Sequence, residues 1–246
     1  MNRESLFKIY WKLESLIVPT LKYSQTVYEE VLNENSRGSP IWLDLGCGHN
    51  LLPPWRLEQE RQLIEKQRLV VGIDYDLLSL TKHKTITDRV RCGIEKLPFA
   101  NDTFDLVTAN MVFEHLDDPG VQLREIARVL KRGGRLIFHT PNVLGYGTIA
   151  ARMIPEFMKA RLIYMLYGRD EEDIFVAHYR INSPSTITRL AKSADFNVSS
   201  IRMICSSAQC AVFPPLAFLE LLWIKLLMTR TMKPFRTNMI AVLEKT

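Results

Sequence analysis

The chain has 246 residues, 47% hydrophobic and 24% charged, an ordinary globular composition that excludes wholesale disorder. Lys and Arg number 32 against 27 Asp and Glu; the resulting +5 is too mild to mark an anionic membrane or nucleic-acid partner by itself. Cys47, Cys92, Cys205 and Cys210 form no CxxC pair and no Cys/His cluster, so neither a disulfide scaffold nor a structural zinc is expected.

The first residues, MNRESLFKIYWKLESL, scatter charges among apolar side chains and lack the uninterrupted core of a signal peptide, so a cytoplasmic protein is expected. Residues 1–37 read as one or two amphipathic helices running into the loop Asn35–Pro40. Alternation then dominates. Ile41–Leu45, Leu69–Ile73, Phe104–Ala109 and Arg135–Thr140 are short, apolar, partly β-branched runs that predict strands. The clearest intervening helix runs from Pro119 to Arg132, with Asp118 as N-cap and Gly133 just past its end. Its stripe of Leu123, Ile126, Ala127 and Leu130 reads as core packing, with Arg124, Arg128 and Lys131 on the surface. Residues 143–182 interrupt the rhythm. A helix over Ser183–Ala194, a strand near Val198–Ile204 and a closing strand at Asn238–Leu243 complete the chain. Strands alternating with helices predict an α/β fold with a mostly parallel sheet.

The chemistry concentrates in Ile41-Trp-Leu-Asp-Leu-Gly-Cys-Gly-His49. A strand carries Asp44 to its carboxyl end, and Gly46 and Gly48 let the backbone approach a ligand. The second strand delivers Asp74 to the same rim, where a carboxylate can accept both hydroxyls of a ribose. A GxG after a strand is a weak signal alone, and a glycine turn needed only for packing is its plain alternative. The dinucleotide version wants a third glycine at position 51, where this chain has Leu51, which counts against NAD or FAD.

Four ordered motifs sharpen the reading: LDLGCGH (43–49), VVGIDYD (70–76), EKLPFANDTFDLVTANMVFEHL (95–116) and REIARVLKRGGRLIFHTPN (124–142). Together they resemble class I S-adenosylmethionine-dependent methyltransferases, small-molecule type, similar to ubiquinone/menaquinone methyltransferases. The resemblance covers about residues 40–142. It implies a Rossmann-like methyltransferase fold, a seven-stranded mostly parallel sheet with helices on both faces and an antiparallel last strand. It also implies one methyltransferase domain over 1–246. In that reading 1–37 is a helical cap, 40–142 the cofactor-binding core, 143–182 a substrate-side insert and 211–236 an apolar cover or membrane-contact segment.

The resemblance places S-adenosylmethionine against Asp44, Gly46, Cys47 and Gly48 on its methionine side, with Asp74 on the ribose and Tyr75 along the adenine. Ile94 and Glu95 would meet the polar edge of the adenine, and Asn110 would lie near the transferred methyl group. One departure stands out: where the family carries an acidic residue for the adenine amino group, this chain has Gly93. Glu95 or the backbone of Ile94 would have to replace it. The usual VLKPGG also reads Leu130-Lys-Arg-Gly-Gly134, a change expected to affect only a surface turn.

Methyl transfer needs alignment and sometimes a base. It requires no metal, and no metal-ligand spacing is present. All five histidines, His49, His83, His115, His139 and His178, titrate in the useful range; His115 is the foremost candidate base, with His139 and His178 next, and a structural or surface imidazole is the plain alternative for each.

Pro214–Met228 is apolar apart from Glu220 and Lys225, and Arg230, Lys233 and Arg236 follow it. Fifteen residues of helix span roughly 22 Å, short of the about 30 Å hydrocarbon core, so docking on a membrane or hydrophobic partner surface is expected rather than spanning, with a cover helix over the active site or a dimer interface as the plain alternative. Pro155–Tyr167 adds a second apolar, partly basic stretch. The sequence thus predicts a methyltransferase acting on a small or lipid-linked acceptor of quinone, lipid or glycan-lipid type, cytoplasmic or peripheral to the inner membrane face, with no nucleic-acid partner. A membrane-associated binding protein of the same fold without turnover, or a nicotinamide oxidoreductase, are the alternatives.

Overall fold

The computed structural model describes residues 3–154, 176–211 and 213–246. Two helices, α1 (Arg3–Ile17) and α2 (Ser24–Asn35), precede the alternating part. There β1 (Ile41–Leu45), α3 (Leu57–Glu65), β2 (Leu69–Asp74), α4 (Leu77–Lys82), β3 (Asp88–Arg91), β4 (Phe104–Asn110), α5 (Pro119–Val129) and β5 (Leu130–Pro141) follow one another. The chain continues through α6 (Tyr146–Met153), α7 (Pro184–Ser193), β6 (Phe196–Ile204), α8 (Pro214–Leu227) and β7 (Asn238–Lys245).

The strands form one seven-stranded sheet in the order β3-β2-β1-β4-β5-β7-β6. Parallel pairing joins β1 to both β2 and β4, β2 to β3, and β4 to β5. The chain builds outward from β1 through β2 to β3, then returns to place β4 on the other side of β1. That reversal leaves a crevice at the carboxyl ends of β1 and β4, where open α/β sheets take ligands. Trp42, Leu43, Leu45, Leu106, Val107 and Ile137 are all fully buried, so the sheet interior is apolar where the strand runs predicted it.

The turn from α5 into β5 differs from the expected helix over Pro119–Arg132. Asp118 caps the helix as expected, its Oδ1 accepting from Val121 N at 3.1 Å. The helix stops at Val129 because Leu130 is drawn into the sheet opposite Phe104, while Leu106 pairs with Arg135. Lys131–Gly134 therefore bulges opposite Asp105, where Lys131 Nζ donates to Asp105 Oδ1 at 2.7 Å. Gly133 sits in this bulge with φ +73°, a conformation glycine adopts without penalty.

The described residues group into two compact units. One contains Gln25–Thr140, Ala177–Arg202 and Met239–Thr246, and with them nearly all of the sheet. The other draws on Met1–Ser24, Pro141–Val176 and Met203–Asn238. The core of this second unit joins α1 to α8 through Tyr10, Ile17, Leu221, Ile224 and Leu227. Its one acidic residue on α8, Glu220, turns inward and accepts from Tyr146 Oη at 2.6 Å, Gln209 N at 2.7 Å and Cys210 N at 2.8 Å. Among the described residues, no helix is long and apolar enough to cross a membrane. The Pro155–Tyr167 stretch lies outside the described residues.

Candidate active site

The strand register sets the site. Asp44 on β1 lies opposite Gly72 on β2 and Thr108 on β4, and Asn110 on β4 lies opposite His139 on β5. Asp44 is 2% exposed. Its Oδ1 accepts from Thr108 Oγ1 at 2.5 Å, and the same Thr108 oxygen accepts from Trp42 Nε1 at 2.7 Å. Burial pushes the Asp44 carboxyl up to about 8; the Thr108 hydroxyl works against that, while the charges of Glu60 and Asp74 reinforce it.

The glycine loop follows. Gly46 has φ +61°, and a Cβ there would stand 2.5 Å from Val112 Cγ2, so both conformation and space demand glycine. Gly48 has φ +52° and faces open space, with no atom within 4 Å of its Cβ position. Its N–H donates to Asp74 Oδ2 at 3.0 Å, while Asp76 N donates to Asp74 Oδ1 at 2.9 Å. The end of β2 is thereby locked to the loop after β1. Cys47 contributes differently from the expected ligand contact. It turns its thiol into the core against Gly72, and its N–H donates to Ile73 O at 2.9 Å. Buried Glu60 braces the end of the loop by accepting from Leu52 N at 2.8 Å and from Thr85 Oγ1.

Tyr75 is 58% exposed beside Asp74, and Ile94 is buried. The Glu95 carboxylate folds back into the space that a side chain at Gly93 would occupy. Arg128, expected on the surface, instead clamps this segment. It donates to Glu125 at 2.7 and 2.8 Å, to Leu97 O at 2.9 Å, and to Phe99 O and Asn101 Oδ1 at 2.8 Å each. Glu125 Oε1 accepts from Leu97 N at 2.7 Å, so α5 fixes the loop from both its donor and its acceptor side.

Asn110 sits at the centre of a group that no local sequence pattern announces. Its Nδ2 donates to Gln25 Oε1 at 2.9 Å, and its Oδ1 accepts from Gln25 Nε2 at 3.3 Å and meets His139 Nδ1 at 2.9 Å. With Nδ2 committed to Gln25, His139 carries its proton on Nδ1. The imidazole is 1% exposed, stacks on Tyr28 at 5.7 Å, and is pushed down to about 4 by burial. His139 was expected to face the crevice as a base; it is instead a buried neutral donor that holds Asn110. His83 is structural too, its Nδ1 accepting from Ile86 N at 3.2 Å.

Two candidate bases remain at the rim. His115 follows β4 in a 3-10 turn, Phe113–His115, with 31% of its side chain exposed and Nε2 4.0 Å from Glu114 Oε1. Glu114 is buried and pushed up to about 7 by desolvation. Its Oε2 accepts from Thr140 Oγ1 at 3.0 Å, and Thr140 Oγ1 accepts from Asn182 Nδ2 at 2.7 Å. The Glu114 carbonyl accepts from His178 N at 2.7 Å and Tyr179 N at 3.0 Å. His178 is thus tied to the site by its backbone, with its side chain exposed.

Residues 43–138 match the methyltransferase domain family model. This stretch is a class I S-adenosylmethionine-dependent methyltransferase domain. A crystal structure of an S-adenosylmethionine-dependent methyltransferase from Mesorhizobium loti shares the domain's fold, with a TM-score of 0.58 at 17% identity over 88% of this chain and 95% of that one. The demethylmenaquinone methyltransferase of Corynebacterium kroppenstedtii is 39% identical over 93 residues, 36% of this chain and 40% of that protein. The malonyl-[acyl-carrier protein] O-methyltransferase of Hahella chejuensis is 34% identical over 122 residues, 46% of this chain and 41% of that protein. The methyltransferase domain is therefore shared with curated relatives over about two fifths of their length.

Proposed function

We propose that the chain transfers a methyl group from S-adenosylmethionine to a small or lipid-linked acceptor, with quinones foremost. One observation carries this reading. The Gly48 N–H bond to Asp74 sets a carboxylate beside an open, glycine-lined loop at the switch point of the sheet. Each Asp74 oxygen accepts one backbone N–H and keeps a lone pair for a ribose hydroxyl.

The remaining residues fit the same ligand. Asp44, buried and poised to gain from a cation, suits the α-ammonium of the methionine part. Tyr75 offers an exposed ring beside the adenine position, and Ile94 lines it. The Glu95 carboxylate, folded over Gly93, stands where an acceptor for the adenine amino group is needed. Asn110, held rigid by Gln25 and His139, borders the methyl-transfer side. Bound there, S-adenosylmethionine supplies an electrophilic methyl group on a sulfonium. His115, half-exposed at the rim, is the imidazole placed to take the acceptor's proton. Leu51 is 1% exposed, packed into the core at the position where a dinucleotide loop carries its third glycine; this disfavours the nicotinamide reading.

The curated relatives named above bear different acceptors in their names, a demethylmenaquinone and a carrier-bound malonyl group. An assay of S-adenosylhomocysteine release with a demethylated quinol, a malonyl carrier protein and a total lipid extract tests the proposal. Release with the quinol or with an extracted lipid is expected. No release with any of the three contradicts the enzymatic reading and favours a binding protein of the same fold.

A further inference from the structure

The outer side of α8 is apolar where a water-facing helix carries polar groups. Ala217, Leu221, Ile224 and Leu227 are buried. On the opposite side of the helical wheel, Leu219 is 61% exposed, Leu222 44%, Trp223 41% and Leu226 46%. Such a contiguous apolar surface marks a docking site rather than ordinary scattered exposure.

Charge identifies the occupant. The exposed charged residues of α8 and the turn after it are all cations: Lys225, Arg230 and Lys233. The single acid of residues 211–236, Glu220, is spent inside the unit on Tyr146, Gln209 and Cys210. Apolar side chains bordered by cations match the boundary between acyl chains and anionic headgroups, with Trp223 suited to headgroup depth. At 14 residues, α8 is about 21 Å long, too short for a hydrocarbon core of about 30 Å, so it lies in the interface.

We propose that this outer face of α8 docks on the surface of a bilayer rich in anionic phospholipid. The surface belongs to one unit of the chain, and its action is separate from methyl transfer. Flotation of the full chain with vesicles of phosphatidylcholine alone, or of phosphatidylcholine with an equal part of phosphatidylglycerol, reads it without any substrate. The wild type is expected to float with the anionic vesicles at least tenfold more strongly than with the neutral ones, and less strongly at high salt. Leu219→Glu/Leu222→Glu is expected to lose at least tenfold in partition while keeping its circular dichroism, since both positions already face outward. Lys225→Glu/Arg230→Glu is expected to lose the anionic preference. A wild type that stays with the soluble fraction on anionic vesicles overturns the proposal, as does equal flotation of the leucine variant. A dimer by light scattering that the leucine variant breaks, without vesicle binding, assigns the face to a second copy and overturns it as well.

Discussion

The two oxygens of Asp74 tie the glycine loop and the start of α4 to the end of β2. Asp74→Ala is expected to weaken S-adenosylmethionine binding at least tenfold, since each hydrogen bond to a charged group contributes about 1.5–3 kcal/mol. An unchanged affinity by calorimetry would place the ribose elsewhere. Asp44 offers a second test at this scale. Burial raises it to about 8, so at pH 7 the free protein holds that carboxyl protonated, and an ammonium beside it pulls the value down. Binding at pH 7 should therefore release a proton to the buffer, seen as a binding enthalpy that varies with buffer ionisation enthalpy, and Asp44→Asn should abolish that dependence. Binding that takes up a proton, or that leaves the buffer unaffected, contradicts the assigned contact.

The glycine loop is the element on which these residues depend. Gly46→Ala forces a φ of +61° on a residue with a Cβ and drives that Cβ against Val112. The expected loss is about 1–3 kcal/mol of stability in urea unfolding, partly restored by Val112→Ala. A silent Gly46→Ala would mean that the turn relaxes freely. This loop and the strands β1, β2 and β4 are legible in the sequence because buried parallel strands read as short apolar runs between glycine turns. Strand β3, Asp88–Arg91, is not, because an edge strand of Asp-Arg-Val-Arg carries no apolar run. The start of β5 is hidden for another reason: Leu130 continues the stripe of α5 yet pairs with Phe104. The site divides in the same way. Asp44, Gly48 and Asp74 announce themselves by local motif, whereas Gln25 meets Asn110 across 85 residues of chain and Thr108 meets Asp44 across 64. The sequence offers His139 as a candidate base; the stacking of Tyr28 on it and its 1% exposure show that it is sealed.

For the molecule as a whole, the buried titratable groups dictate how stability depends on pH. Folding raises Asp44 to about 8 and Glu114 to about 7, so the folded chain binds more protons than the unfolded one below those values, and stability falls as pH rises toward them. His83 and His139, lowered to about 4, act in the opposite sense, with a contribution present above 6.5 and lost as pH falls toward 4. Above pH 6.5 the histidine contributions change by less than those of the two acids, which dominate. Between pH 6.5 and 8 the chain should lose stability of order 2 kcal/mol, read as a lower urea midpoint, with Asp44→Asn flattening the slope. A midpoint that holds or rises would mean that these carboxyls are ionised throughout. The central claim, that the carboxyl ends of β1, β2 and β4 hold S-adenosylmethionine, is tested most directly by calorimetric titration of the full chain with S-adenosylhomocysteine and with NAD. One site for S-adenosylhomocysteine, weakened at least tenfold in Asp74→Ala, and no heat with NAD is the predicted result; tight binding of NAD with no response to S-adenosylhomocysteine contradicts the account.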